Sequence, residues 1–194
     1  MNALFSDVQL SLNDVVVEGG DQMYGYKSTI DSIFNFNDDS KRIQLLPMGF
    51  ATEVKERKAW IAQSKEFELA GALRLDFFNQ PKYLLPGVNV RLLLKRAKSS
   101  FGLFGGVTGT EYKVIIQLAK IFVRRVKVAQ SVSLGHQLVL LKHNAIYPYT
   151  KSKVVSYAIA QGSLSYSKDN LFSTSLMPKF LVVGMVKSKA FTGD

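Results

Sequence analysis

The side chains able to do chemistry are few and poorly grouped. His136 and His143 stand seven residues apart and share a face only if the stretch between them is helical. A bound metal would need more donors than two imidazoles, and no carboxylate cluster lies nearby. The chain has no cysteine, which excludes a thiolate metal site, a cysteine nucleophile and a disulfide framework together. The two histidines therefore read as surface or interface residues. Asp38-Asp39 and the Glu53/Glu56 pair read as solvated loop and helix carboxylates. A two-carboxylate glycosidase needs its acids ~5 to ~9 Å apart in a cleft, and nothing in the sequence favours that arrangement. Serines are plentiful, yet no G-x-S-x-G is present. The glycine-rich run F-G-L-F-G-G-V-T-G at residues 101–109 invites a phosphate-cradle reading. It fails, because no Gly-Lys-Ser/Thr follows and the next element reads as a strand, not a helix. The run reads instead as a surface loop whose phenylalanines pack on a neighbouring subunit. No catalytic, cofactor-binding or metal-ligating residue is assigned. The expectation is a protein that is not an enzyme, with no cofactor and no small-molecule substrate.

The balance of charge is the one functional hint in the composition. The 194 residues carry 25 Lys and Arg against 15 Asp and Glu, a formal charge of +10, which makes contact with a polyanion plausible. The densest basic clusters, residues 55–58, 91–98 and 124–127, fall on an expected helix and at strand ends. Lysines at such places ordinarily solvate ends and protect sheet edges; the functional alternative is a face turned to DNA. Apolar residues make up 47% of the chain, enough for a core and too many for disorder. The absence of a glycosylation sequon and of a recognisable leader points away from secretion. The longest apolar runs are of strand length, short of a membrane span.

Two long strand patterns would organise these residues. In the first, Val88, Val90, Leu92 and Leu94 share one face against Asn89, Arg91 and Lys95, after a Pro86-Gly87 turn. In the second, Val114, Ile116, Leu118 and Phe122 alternate against Lys113, Gln117, Ala119 and Arg125. Earlier, Val8, Leu10 and Leu12 predict a strand, Asn13-Asp14 a two-residue turn, and Val15 to Val17 the returning arm of a hairpin. Met23, Tyr26, Ile30, Ile33 and Phe34 recur at helical spacing. A second helix is predicted over 53–64, with Trp60 and Ile61 as its buried anchors. Phe67, Leu69, Leu73, Leu75 and Phe77 alternate with polar and small residues as a half-buried strand. Beyond residue 128, Ser131 is placed to cap a helix carrying Leu134, Leu138 and Leu141. Val155, Tyr157 and Ile159 predict another strand, and residues 180–186 a last one. Strands in this number call for a second layer over the sheet.

Several segments, taken together and in order, resemble the double jelly-roll major capsid proteins of Polinton/Maverick elements and adintovirus-like viruses. They are L-F-S-D-V-Q-L-S-L-N-D at 4–14 and the Y-G-Y…I-D-S-I-F-N-F stretch at 24–36. I-A-Q-S-K-E-F-E-L-A-G-A-L-R-L-D-F-F at 61–78 runs into L-L-P-G-V-N-V-R-L-L-L at 84–94. V-R-R-V-K-V at 123–128, N-A-I-Y-P-Y at 144–149 and N-L-F-S-T-S-L-M-P-K-F-L-V-V-G-M-V at 170–186 complete the set. The resemblance implies an all-β fold: an antiparallel jelly-roll β-sandwich with short inserted helices, followed by the start of a second jelly roll. Residues 1–128 would be the first jelly roll without its opening strand or strands, 129–144 a crossover with a helix, and 145–194 the beginning of the second. The implied function is that of a viral capsid structural protein, as a fragment or genomic relic. Its partners would be itself, as a homotrimer forming a pseudo-hexagonal capsomer, and neighbouring capsomers, with DNA met through basic residues. Its place would be the virion and, within the host cell, the nucleus or cytoplasm, and it would not be secreted. The alternative class is an intracellular β-sandwich module binding nucleic acid or carbohydrate.

Overall fold

The chain begins with the hairpin its alternation demands. The computed structural model describes residues 1–50, 54–103, 112–171 and 177–192. Strand β1, Phe5–Leu12, buries Val8 and Leu10 completely. Asn13 and Asp14 turn it with φ of 47° and 63°, the left-handed pair that matches the twist of a tight hairpin. Strand β2, Val15–Glu18, returns antiparallel. Gly19 follows at φ +99°, where an added Cβ would stand 2.4 Å from the Val8 carbonyl oxygen, so only glycine lets the chain leave the hairpin this close to β1.

Helix α1, Tyr24–Asn35, lies on β1 and buries Tyr24, Gly25 and Ser28. Helix α2, Asp38–Ile43, is capped by Asn37, whose side-chain oxygen accepts from the Ser40 N–H at 2.8 Å. Its acids fill the first turn and its bases the last, as the helix dipole favours. A 3-10 turn at Leu46–Met48 carries Pro47 and ends on left-handed Gly49. Helix α3, Val54–Ile61, continues into a 3-10 turn at Ala62–Ser64, and another spans Asp76–Asn79. Strand β3, Val90–Arg96, pairs antiparallel with the far side of β1, giving the order β2-β1-β3. Three further helices follow: α4 at Ser99–Gly102, α5 at Gln130–Leu140 and α6 at Ser188–Thr192. The core is Val8, Leu10, Tyr24, Leu75 and Phe77, with Leu92, Leu94, Tyr147 and Tyr149 half-buried against it.

This architecture overturns the expected all-β fold. Among the described residues the fold is mixed, 33% helical and 11% strand, with one three-stranded antiparallel sheet and no jelly-roll sandwich. The hairpin, α1, β3 and α5 stand where their patterns predict, although Ala129, not Ser131, occupies the N-cap of α5. The strands expected over 67–77, 112–128, 155–159 and 180–186 do not form. Those residues take no regular strand structure, Asp76 and Phe77 falling in the 3-10 turn, and among the described residues they build no ladder with another segment. The reason is physical: alternation makes a one-faced ribbon, but a strand exists only where a neighbouring edge takes its N–H and C=O groups. Trp60 and Ile61 are not buried anchors either; Trp60 stacks on Phe67 at 5.4 Å and Ile61 is exposed. Phe101 and Gly102 belong to α4, while residues 104–109 of the glycine-rich run lie outside the described residues.

Candidate functional site

The most concentrated chemistry sits where the hairpin, α1 and the turn at Asp76–Asn79 meet. Glu18 ends β2 with its side chain only 4% exposed. One carboxylate oxygen accepts from the Asp76 N–H at 2.8 Å and the other from the Phe77 N–H at 3.0 Å. Lys27, one helical turn into α1, donates to Glu18 and lies 2.9 Å from Asp76 Oδ2. The Ser152 N–H donates to Asp76 Oδ2 at 2.6 Å. Burial works against the charge on Lys27, yet its hydrogen bonds to Glu18 and Asp76 and their negative charges prevail, and its pKa is raised above the ordinary lysine value. Beside the cluster, the Tyr24 hydroxyl donates to Asn2 Oδ1 at 3.2 Å and accepts from the Arg74 N–H at 2.9 Å. Burial pushes that phenol up to about 12.

These groups are occupied with one another. A lysine held protonated is neither a nucleophile nor a base at neutral pH. Both Glu18 oxygens are taken by donors of the protein itself. The cavity bordering Asp7, Glu18, Tyr24, Lys27 and Lys151 measures about 30 Å³, room for water but far below the roughly 300–1,000 Å³ of ligand sites. The arrangement is a latch. It ties β2, α1, the turn at Asp76 and the segment around Ser152 through charge-assisted bonds of the strong kind.

The second feature is the chain beyond β3. Besides the Ser152 bond to Asp76 and the Lys82 and Lys151 bonds to the Ile146 and Val17 carbonyls, further contacts hold it to the earlier elements. The Arg96 guanidinium donates to the Val114 carbonyl; Tyr147 and Tyr149 pack on Phe77 at 5.8 and 5.5 Å; and Phe191 stacks on Tyr26 at 5.1 Å. Between these anchors, Ile115, Leu118, Phe122, Phe180 and Met185 lie open to solvent, Phe122 to 93%. The whole chain exposes 16089 Å². A compact protein of its 21.6 kDa would expose about 9,200 Å².

The residues singled out from sequence do not converge. Asp38 and Asp39 open α2, and Asp38 pairs with Lys41 at 3.5 Å. Glu56 is exposed on α3, and Glu53 lies outside the described residues. His136 is exposed on α5 and His143 lies beyond its end, so they share no helical face. Among the described residues no group of three or more His, Asp or Glu could hold a metal, and no helix is long and apolar enough to cross a membrane. Sequence reasoning missed Glu18, Lys27 and Asp76. Their available signal was an acid at the close of a hairpin arm, just before Gly19-Gly20. The alternation of Leu75 and Phe77 puts Asp76 on the opposite, outward face of the expected strand.

No family model matches the chain, and no solved structure does. The chain is similar to a Caenorhabditis elegans protein described as uncharacterized, at 25% identity over 204 aligned residues. The alignment takes in 100% of this chain and 48% of the worm protein. The chain therefore spans about half the length of the curated relative it matches.

Proposed function

We propose that the chain is a structural subunit that works by associating with copies of itself, as a capsid-type building block of a virion, and not by catalysis. The observation that carries this reading is the large exposed surface, on which Ile115, Leu118, Phe122, Phe180 and Met185 lie open to solvent. The chain exposes about 6,900 Å² more than a compact protein of its mass, with 16089 Å² in all. Obligate interfaces bury roughly 2,000–5,000 Å² or more, so an association of that class has the surface it needs. The collinear likeness to the capsid proteins at 4–14, 24–36, 61–78, 84–94, 123–128, 144–149 and 170–186 supplies the class of assembly. The reading rests on that likeness and on the exposed surface; the sandwich fold forms no part of it. Sedimentation and light scattering across a concentration series test it. Trimers or larger closed assemblies are expected, with particles or tiles by electron microscopy. A chain that stays monomeric at high micromolar concentration would overturn the reading.

One observation favours a second reading, a module that binds nucleic acid. Residues 112–168 contain Lys113, Lys120, Arg124, Arg125, Lys127, Lys142, Lys151, Lys153 and Lys168 and not one Asp or Glu. A single-sign stretch of this length creates a field suited to phosphates. Binding of duplex DNA by the monomer, weakening steeply with salt, would favour this reading over self-association.

A further inference from the structure

The sheet has an edge that the described residues leave open. The Asn13 N–H donates to the Asn89 carbonyl at 2.9 Å, which continues the β1–β3 register of Leu12 opposite Val90 and Ser11 opposite Arg91. In an antiparallel pair, alternate residues face the partner. Arg91, Leu93 and Lys95 therefore turn their N–H and C=O groups toward β1, and Val90, Leu92 and Leu94 turn theirs away. Among the described residues no hydrogen bond reaches the outward groups of Leu92 and Leu94.

The extended segment after β3 begins beside this edge. Val114 is half-buried and its carbonyl takes the Arg96 guanidinium. An antiparallel pairing that sets Arg96 opposite Val114 sets Leu94 opposite Ile116 and Leu92 opposite Leu118. Leu92 and Leu94 already pack on the core, so Ile116 and Leu118 would extend the same apolar layer. On the other face Lys95 meets Ile115, Leu93 meets Gln117 and Arg91 meets Ala119, with no like charges opposed. Neighbouring registers fail. A slip of one residue turns Lys113 and Gln117 to the core. A slip of two puts Lys113 opposite Lys95 in one direction, and Lys120 against Leu92 in the other.

We propose that the outer edge of β3 is a strand-docking site and that its occupant is residues 114–119 of the same chain, in the register Arg96 opposite Val114. The contact between Arg96 and Val114 is made within one chain, and closure entropy grows only slowly with the length of the connecting segment. This inference stands apart from the assembly reading: a monomer can close its own edge.

The absence of cysteine gives a clean background for the test. In the proposed register Leu93 and Gln117 form a non-hydrogen-bonded pair, whose Cα atoms stand about 4.5 Å apart, within disulfide reach. The double variant Leu93→Cys/Gln117→Cys should oxidise to an intramolecular disulfide. Leu93→Cys/Lys120→Cys, whose second thiol faces the opposite side, should oxidise at least about tenfold more slowly. A disulfide between chains, equal rates for the two pairs, or none at all overturns the proposal. Amide hydrogen exchange of the unaltered chain gives a second readout that no substitution can disturb. Arg91 and Leu93 are protected by β1 in any case, whereas Leu92 and Leu94 are protected only if the edge is filled. Slowing of the Leu92 and Leu94 amides by about 100-fold or more, as for stable structure, is expected. Exchange of these two at the rate of free peptide, beside protected Arg91 and Leu93, sinks the proposal.

Discussion

Leu10 and Phe122 are both large apolar members of alternating runs, and the molecule treats them in opposite ways. Leu10 is 0% exposed and Phe122 is 93% exposed. The difference lies in what surrounds each run. Around β1 stand a hairpin partner on one edge, β3 on the other, α1 above and the turn bearing Phe77 at the end. Around residues 115–128 no described element makes a ladder. A run of alternating residues specifies which face wants to be dry; drying that face takes a second layer. The first 96 residues provide their own second layer and close it with the Glu18–Lys27–Asp76 latch. The later residues borrow from it at points such as Val114, Tyr147, Tyr149, Ser152 and Phe191 and leave many apolar side chains between them exposed. That contrast motivates both the assembly reading and the strand-docking inference.

The contrast is easiest to break at the latch. Lys27→Met leaves the Glu18 and Asp76 carboxylates facing each other without their cation. Removing one partner of a buried ion pair costs about 3–5 kcal/mol. Urea unfolding should show that loss; a change under about 1 kcal/mol would mean the latch does not hold this half together. Next, Leu10→Ala should cost about 2–5 kcal/mol by transfer and cavity terms, measured by the same denaturation curve. Gly19→Ala follows, at about 1–3 kcal/mol, because the left-handed φ and the nearby Val8 oxygen both oppose a methyl group. Unchanged stability there would mean the exit from the hairpin relaxes freely.

A pH series sharpens the same half. The folded pKa of Lys27 is raised above its unfolded value, and Tyr24 is raised from 10.0 to about 12. A raised folded pKa contributes stability that is complete below the unfolded value and lost as pH rises through the folded one. Both groups act in the same direction, so stability should be level on their account up to about pH 10 and fall above it, by up to about 3 kcal/mol from Tyr24. Tyr24→Phe should remove most of the tyrosine part of that alkaline loss, read from thermal midpoints across the range. The smallest effect is expected in the uncovered region. Phe122→Ser should leave unfolding within about 0.5 kcal/mol, yet weaken self-association in sedimentation. If it destabilised the monomer like Leu10→Ala, the two regions would not differ in the way described.

Much of the local structure was legible. Asn13-Asp14 between two apolar runs specified a hairpin through the left-handed tolerance of both residues. The spacing of Met23, Tyr26, Ile30 and Phe34 specified a helix, and Leu92 with Leu94 marked the inner face of β3. The latch was much less legible. Glu18, Lys27 and Asp76 come from three separate elements, and an alternation rule assigns Asp76 to solvent. Only the approach of α1 and the turn at Asp76–Asn79 to the end of β2 makes the acid an inward residue.

By itself the sequence determined which residues pair with their near neighbours: the turn, the spans of α1 and α5, and the alternation of each ribbon. Tertiary structure alone decided which ribbons became strands, that β2, β1 and β3 form the sheet among the described residues, and that two distant acids share one lysine. The reason is the range of the forces. Backbone torsion and side-chain periodicity act within a few residues, while ladder bonds and the exclusion of water depend on segments far apart in the chain meeting in space.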